Sequence, residues 1–309
     1  MAAVLIAGVP RSGTTWIGRT LGNTEGATYV NEPDGFRDPY AFRTMLTQGE
    51  NPVLDPGESA PDLERLWGGA LAGGRPAGTP SDRLARALYE RTPLEARRTA
   101  RAHRRATGRL RLVMHLATPR VAEPHASHVI VKSVQCALEL EWIAARFRPQ
   151  ILVVERSPFN VLASWADLGY VRSPQELTVM TAYAREHWSV EPPGPDAPHL
   201  AIQAFSFGVQ TSALRDAATR HPEWVQTQHE TLCIDSAARF RALATALGLE
   251  WGEAAEQFLN SSDQDGTPYR TLRRTEEQPD RWRERLDSGQ VATIRETLAR
   301  FPHTLVAGS

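Results

Sequence analysis

The chain has 309 residues, 35 basic and 36 acidic side chains, a formal net charge of −1 and 41% hydrophobic residues. That balance excludes a nucleic-acid binder working by overall positive charge, and the apolar content excludes a disordered chain. Two cysteines cannot build a disulfide scaffold and no Cys/His cluster has zinc spacing, so a reduced, cytoplasmic setting is expected.

Only one basic residue is a lysine, Lys132, and the other 34 are arginines. A lone lysine in such a background draws attention to what arginine cannot do there. No window approaches the roughly 20 apolar residues that span a bilayer. The apolar run Ala2–Val9 is short, lacks a basic flank and leads straight into Pro10-Arg11-Ser12-Gly13. It reads as a buried first strand rather than a signal peptide.

Further strands are expected at Ala27–Asn31, His128–Lys132, Ile151–Glu155 and, more weakly, Trp224–Gln228. Helical patterns follow at Val134–Phe147, Phe159–Leu168 and Asp235–Leu247. Strands alternating with helices predict one α/β domain spanning 1–309, with a central parallel sheet flanked by crossover helices. Two insertions interrupt the alternation, at about 34–127 and 169–198, and are expected to form lids or acceptor walls. Pro192, Pro193, Pro195 and Pro198 mark the second as an ordered loop or hinge.

Gly8-Val9-Pro10-Arg11-Ser12-Gly13-Thr14-Thr15 lies between the first strand and a helix. Its glycine spacing is that of a P-loop, with Thr14 where the lysine would stand. Such a loop aims backbone N–H groups and a helix N-terminus at an anion. Thr14 and Thr15 add hydroxyl donors, and Arg11 adds a cation. A strand-to-helix turn capped by Ser12 or Thr14 is the plainer reading. The composite Pro-Arg-Ser-Gly-Thr-Thr-Trp in this context favours phosphate binding. The missing lysine argues against an ordinary Mg-nucleotide triphosphatase or P-loop kinase, as does the lack of a clear Mg-binding Asp after a strand. A second anion motif follows the Ile151–Glu155 strand: Arg156 at its end and Ser164 eight residues on, about two turns into the next helix.

Together these two motifs resemble the PAPS-dependent sulfotransferase family. Pro10-Arg11-Ser12-Gly13-Thr14-Thr15-Trp16 looks like its 5′-phosphosulfate loop, usually written PKSGTTW, with Arg11 in place of the lysine. Arg156 and Ser164 match its 3′-phosphate motif, and His229-Glu230-Thr231-Leu232 resembles its Tyr-Glu-x-Leu segment with His for Tyr. The resemblance covers the sheet framework to about Leu249 and fades in both insertions and the C-terminal tail.

It implies 3′-phosphoadenylyl sulfate (PAPS) as donor and adenosine 3′,5′-bisphosphate (PAP) as product, with no obligatory metal. Arg11 then matches the cation at the bridging oxygen, keeping the charge but losing the lysine's point-like ammonium. Two readings of Trp16 stand: the aromatic that packs on adenine, or core packing below the loop. Phe207 matches another adenine contact. Arg270, Arg273 and Arg274 are candidates to complete the 3′-phosphate site, beside a reading as a solvated surface run.

Sulfuryl transfer to a hydroxyl needs a base. In one branch of the family a His stands two residues after a strand-end lysine. Lys132 matches that lysine, but Val134 occupies the His position. Branches acting on carbohydrates often use a Glu at the end of the second strand, which here is Glu32, with His115 in reserve. Lys132 would stabilise the migrating sulfuryl or the leaving oxygen.

The reaction implied is in-line transfer of a sulfuryl group to a hydroxyl of a glycan, glycolipid or specialised metabolite, with no nucleic-acid partner. A P-loop kinase or nucleotide-binding protein, or a catalytically silent PAP(S)-binding protein, is the alternative. Ten arginines between Arg83 and Arg111 read either as an anionic-acceptor site or, preferably, as the exposed face of a helical insertion.

Overall fold

The computed structural model describes residues 2–122, 126–262 and 279–303. In chain order it runs β1 (Ala2–Gly8), α1 (Thr14–Leu21) and β2 (Ala27–Asn31). The first insertion follows as five helices: α2 (Pro39–Gln48), α3 (Pro61–Leu71), α4 (Pro80–Glu90), α5 (Leu94–His103) and α6 (Gly108–Leu116). The framework resumes with β3 (His128–Ser133), α7 (Leu140–Phe147), β4 (Gln150–Glu155) and α8 (Pro158–Asp167). Then come α9 (Pro174–Trp188), α10 (His199–Arg220), β5 (Val225–Gln228), α11 (His229–Cys233), α12 (Ser236–Ala246), α13 (Glu253–Ser262) and α14 (Ser288–Leu298).

The five strands form one parallel sheet in the order β2-β3-β1-β4-β5. From β1 the chain lays β2 at one edge, returns to insert β3 between β2 and β1, then crosses to the other side of β1 for β4 and β5. That reversal at β1 is where open α/β sheets bind ligands, outside the carboxyl ends of the strands.

Strand alternation sorts the apolar residues onto two cores. Leu5, Ala7, Val129, Val131, Ile151 and Val153 pack on one face with α10, α3 and α8. Val4, Ile6, Ile130, Leu152 and Val154 pack on the other with Trp16, Phe240 and Leu243. Each fully buried Val, Leu or Ile contributes about 1.5–3 kcal/mol, so the β1, β3 and β4 runs hold the sheet's centre.

The helix expected from Val134 begins only at Leu140. Ser133 Oγ accepts from the Gln135 N–H at 3.0 Å, and a short 3₁₀ turn at Cys136–Leu138 intervenes. The helix after β4 starts at Pro158, whose fixed φ suits a first helical position. Among the described residues no helix is long and apolar enough to cross a membrane.

Candidate active site

The loop after β1 has two left-handed residues. Arg11 has φ 72° and Gly13 has φ 89°. Only glycine fits position 13, because a Cβ there would lie 2.0 Å from His229 Cδ2. Gly8 is equally constrained: its Cβ would meet Ser12 Oγ at 2.7 Å and the Val154 carbonyl at 2.9 Å. The loop is therefore pressed between β4 and α11. No side chain caps α1 and no acid sits in its first turn, so its N-terminal N–H groups face the loop unneutralised. Thr14 and Ser12 are buried, Thr15 is half-buried, and Ser12 Oγ has no hydrogen-bond partner.

The carboxyl end of β4 closes on this loop. Arg156 Nη1 donates to the Arg11 carbonyl at 2.9 Å, and Arg11 Nε donates to Ser164 Oγ at 2.9 Å. Trp165 Nε1 donates to the Pro10 carbonyl at 2.9 Å, anchoring the loop to α8. Arg156 Nε is buried without a hydrogen bond and stands 3.9 Å from Glu230 Oε1. That oxygen already accepts from Ser157 N at 3.0 Å and Asn160 Nδ2 at 3.1 Å. Burial pushes the Arg156 guanidinium down to about 10, against the attraction of Glu230. His229 is held well below its usual range by burial and by Arg156, so it packs on Gly13 as a neutral ring.

On the other side of β1, the register sets Ile6 beside Lys132 and Asn31 beside Lys132. Lys132 is 2% exposed, and its ammonium holds Glu32 Oε1. Glu32 has φ 42°, and its N–H donates to the Lys132 carbonyl at 2.7 Å. Its side chain stays 34% exposed, and Oε2 makes no hydrogen bond among the described residues. Next to this pair Ser133 donates its hydroxyl to Asp34 Oδ2, while Asp34 Oδ1 is buried and unpartnered. Burial raises the Asp34 carboxyl to about 6.

Arg11, Ser12, Gly13, Thr14, Arg156 and Ser164 thus meet in one place, with Lys132 and Glu32 on the far side of β1. The aromatic candidates are not brought together. Trp16 is 7% exposed, edge-on to His229 and Phe240, and donates from Nε1 to Ser262 Oγ at 2.9 Å. Phe207 is 1% exposed and packs edge-on to Trp165 in the core on the opposite face of the sheet. His115 is exposed on α6 and bonds to no described residue. Arg270, Arg273 and Arg274 lie outside the described residues.

Three contributors had no role assigned from sequence: Glu230, Trp165 and Asp34. The His229–Leu232 resemblance pointed at the segment but not at its carboxylate. The side chains of seven of the ten arginines between Arg83 and Arg111 are exposed, matching the surface reading of that insertion. Arg86, Arg97 and Arg101 are half-buried against Asp38 and Asp82, the Tyr89 carbonyl, and Glu50 and Glu176.

No protein-family model matches the chain, and no curated protein matches it. Two solved structures are similar to it. One is the sulfotransferase domain from the Synechococcus PCC 7002 olefin synthase, at 15% identity and a TM-score of 0.46, over 97% of this chain and 94% of that one. The other is the sulfotransferase domain from the curacin biosynthetic pathway, at 11% identity and a TM-score of 0.49, over 96% of this chain and 97% of that one.

Proposed function

We propose that the chain is a sulfotransferase moving a sulfuryl group from PAPS to a hydroxyl of a glycan, glycolipid or specialised metabolite. One observation carries this reading. A single glycine loop at the sheet's switch point has two arginines on its β4 side and, on its β3 side, a buried lysine paired with a half-exposed glutamate. Such a loop suits a donor with two separate phosphate groups, flanked by a place for an acceptor.

The residues fit that donor. Ser12 Oγ and Arg156 Nε are buried polar atoms without a hydrogen bond among the described residues, and an anion's oxygens would satisfy both. Thr14 at the P-loop lysine position leaves no such cation for a nucleoside triphosphate's γ-phosphate.

In the reaction, the acceptor oxygen bonds to sulfur as the bond from sulfur to the phosphate oxygen breaks. Glu32 Oε2 takes the hydroxyl proton, and the bonding pair leaves with the phosphate. Lys132 serves twice. It orients Glu32 through their ion pair, and it meets negative charge building on the transferring group. The N–H groups at the start of α1 share that second task.

A thermal-shift series with PAP, AMP and ATP–Mg tests the donor class. Stabilisation by PAP alone, followed by transfer of labelled sulfate to a hydroxyl panel, supports the proposal. Stabilisation by ATP–Mg with none by PAP would refute it.

A further inference from the structure

We infer that the cavity between α5 and α6 is a second anion site, which takes the sulfate or phosphate ester group of an organic ligand outside the glycine loop. The inference stands independently of the donor reading above.

The first insertion sorts its arginines by helix face. Along α5, Arg97, Arg101 and Arg104 recur on one stripe and are spent on the protein itself. Arg97 donates to the Tyr89 carbonyl, Arg101 pairs with Glu50 and Glu176, and Arg104 Nη2 donates to the Thr47 carbonyl at 2.6 Å. The opposite stripe, which includes Thr99 and His103, lines a cavity of about 910 Å³. That volume is within the range of about 300–1,000 Å³ usual for small-molecule sites. Its lining includes buried Ala100 and Leu110, which give it an apolar floor.

Three further arginines line the cavity from three different segments: Arg91 from the end of α4, Arg105 from the turn after α5 and Arg109 from the first turn of α6. Local structure puts them there. Arg104 has φ 49° and the Arg105 N–H donates to the Ala100 carbonyl at 3.0 Å, so the chain turns back between the two arginines. Arg109 Nη1 donates to the Arg91 carbonyl at 2.9 Å, which ties the start of α6 to the end of α4.

The charges in this cavity do not balance. Arg91, Arg105 and Arg109 make no ion pair among the described residues. The lining holds one carboxylate, Glu95, and Arg98 Nη1 already stands 3.8 Å from it. The first turn of α6 adds no acid, and Thr107 makes no side-chain cap, so the helix end adds to the positive field. Planar guanidinium forks match the tetrahedral oxygens of a sulfate or phosphate ester in pairs, which a point-like ammonium cannot do. The inward arginines meet carboxylates and carbonyls, whereas these three have only each other, His103 and one shared acid. An ester anion supplies the missing charge.

Two arms test the site and separate the sources of such an ester. Titration calorimetry with sucrose octasulfate is the soluble arm, and flotation with phosphatidylglycerol vesicles is the lipid arm. Changing Arg91, Arg105 and Arg109 together to Gln is expected to weaken binding roughly 10- to 100-fold in the arm that carries the ligand. The control makes the same charge change at three other exposed arginines, Arg83, Arg148 and Arg239, and is expected to stay within about threefold of wild type. A loss confined to the cavity variant supports the site, and the arm in which it occurs names the source. No binding in either arm, or equal losses in the two triple variants, overturns it. Should the cavity variant fail to fold, Arg105→Gln decides, because that side chain bonds to no described residue. It should lose roughly 3- to 10-fold in affinity, and an unchanged affinity overturns the inference. Neither arm uses PAP, so failure here leaves the donor reading untouched.

Discussion

Glu32 and Lys132 are joined twice: the Glu32 N–H donates to the Lys132 carbonyl at 2.7 Å, and the Lys132 ammonium holds Glu32 Oε1. The backbone bond extends the β2–β3 pairing by one residue past Asn31, which turns the Glu32 side chain back over its neighbour. One carboxylate oxygen is therefore fixed, and the other makes no hydrogen bond among the described residues. Replacing Glu32 by Gln keeps the shape and removes the proposed base. Transfer is expected to fall roughly 10²- to 10⁴-fold, with PAP affinity nearly unchanged. Single-turnover transfer of labelled sulfate, run beside calorimetry, checks both halves. Wild-type turnover in this variant would remove Glu32 from the mechanism.

Lys132 should tolerate no replacement. Lys132→Met retains bulk but leaves Glu32 without its counter-charge, so transfer should drop at least about 100-fold. Lys132→Arg keeps the charge. However, the site is 2% exposed, and the larger planar head must displace packed neighbours. A loss of about 1–3 kcal/mol in stability is expected from that overpacking. Urea midpoints read it directly. Because the chain has a single lysine, amine-directed reagents have one side-chain target. Labelling of native protein should be slow and should accelerate on unfolding.

The strands were legible because β1, β3 and β4 are short apolar runs, rich in β-branched residues in β3 and β4, and burial on both faces leaves no polar alternation to confuse them. The turn between β1 and α1 was legible because its glycines are required by backbone geometry and close contacts. What escaped depends on distance along the chain. Arg11 and Ser164 are 153 positions apart, so nothing local shows that they bond. Asp34 and Glu230 look like any surface acid until β3 and α8 fold against them. The start of α7 was missed because Ser133 diverts the chain into a tight turn by a side-chain bond, while the apolar spacing after it still reads as helix.

Asp34 makes stability depend on pH. Its carboxyl rises from 3.8 to about 6, chiefly through burial. A raised acid binds its proton more tightly in the folded state. Its stabilising contribution is therefore full below pH 3.8 and is lost as pH rises through about 6. Asp34→Asn removes the ionisation. Relative to wild type, the variant should gain stability between pH 4 and 7, most at the upper end. Chemical denaturation at pH 4.5 and pH 7 checks this, and a constant difference at both values would contradict it.

The two insertions meet on one buried carboxylate, Glu176. It accepts from Ser173 N at 2.8 Å, Arg172 Nη1 at 2.9 Å, Asn51 Nδ2 at 3.1 Å and Arg101 Nη2 at 3.1 Å. Burial opposes its ionisation, but Arg172 and the Ser173 N–H outweigh that and hold it below the usual range. Gln210 carries the network inward, donating to Asn51 Oδ1 at 3.0 Å and coming within 3.5 Å of the Val134 carbonyl, two residues past Lys132. The insertions thus form one wall whose inner end supports the β3 turn. Glu176→Gln leaves Arg172, 6% exposed, without its counter-charge, and should cost about 3–5 kcal/mol. The exposed pair Arg185–Glu191 provides the contrast, since Glu191→Gln should leave the urea midpoint nearly unchanged. Urea unfolding of both variants decides whether burial sets the difference. Equal, small losses would mean that solvent reaches Glu176 and that the wall is not held there.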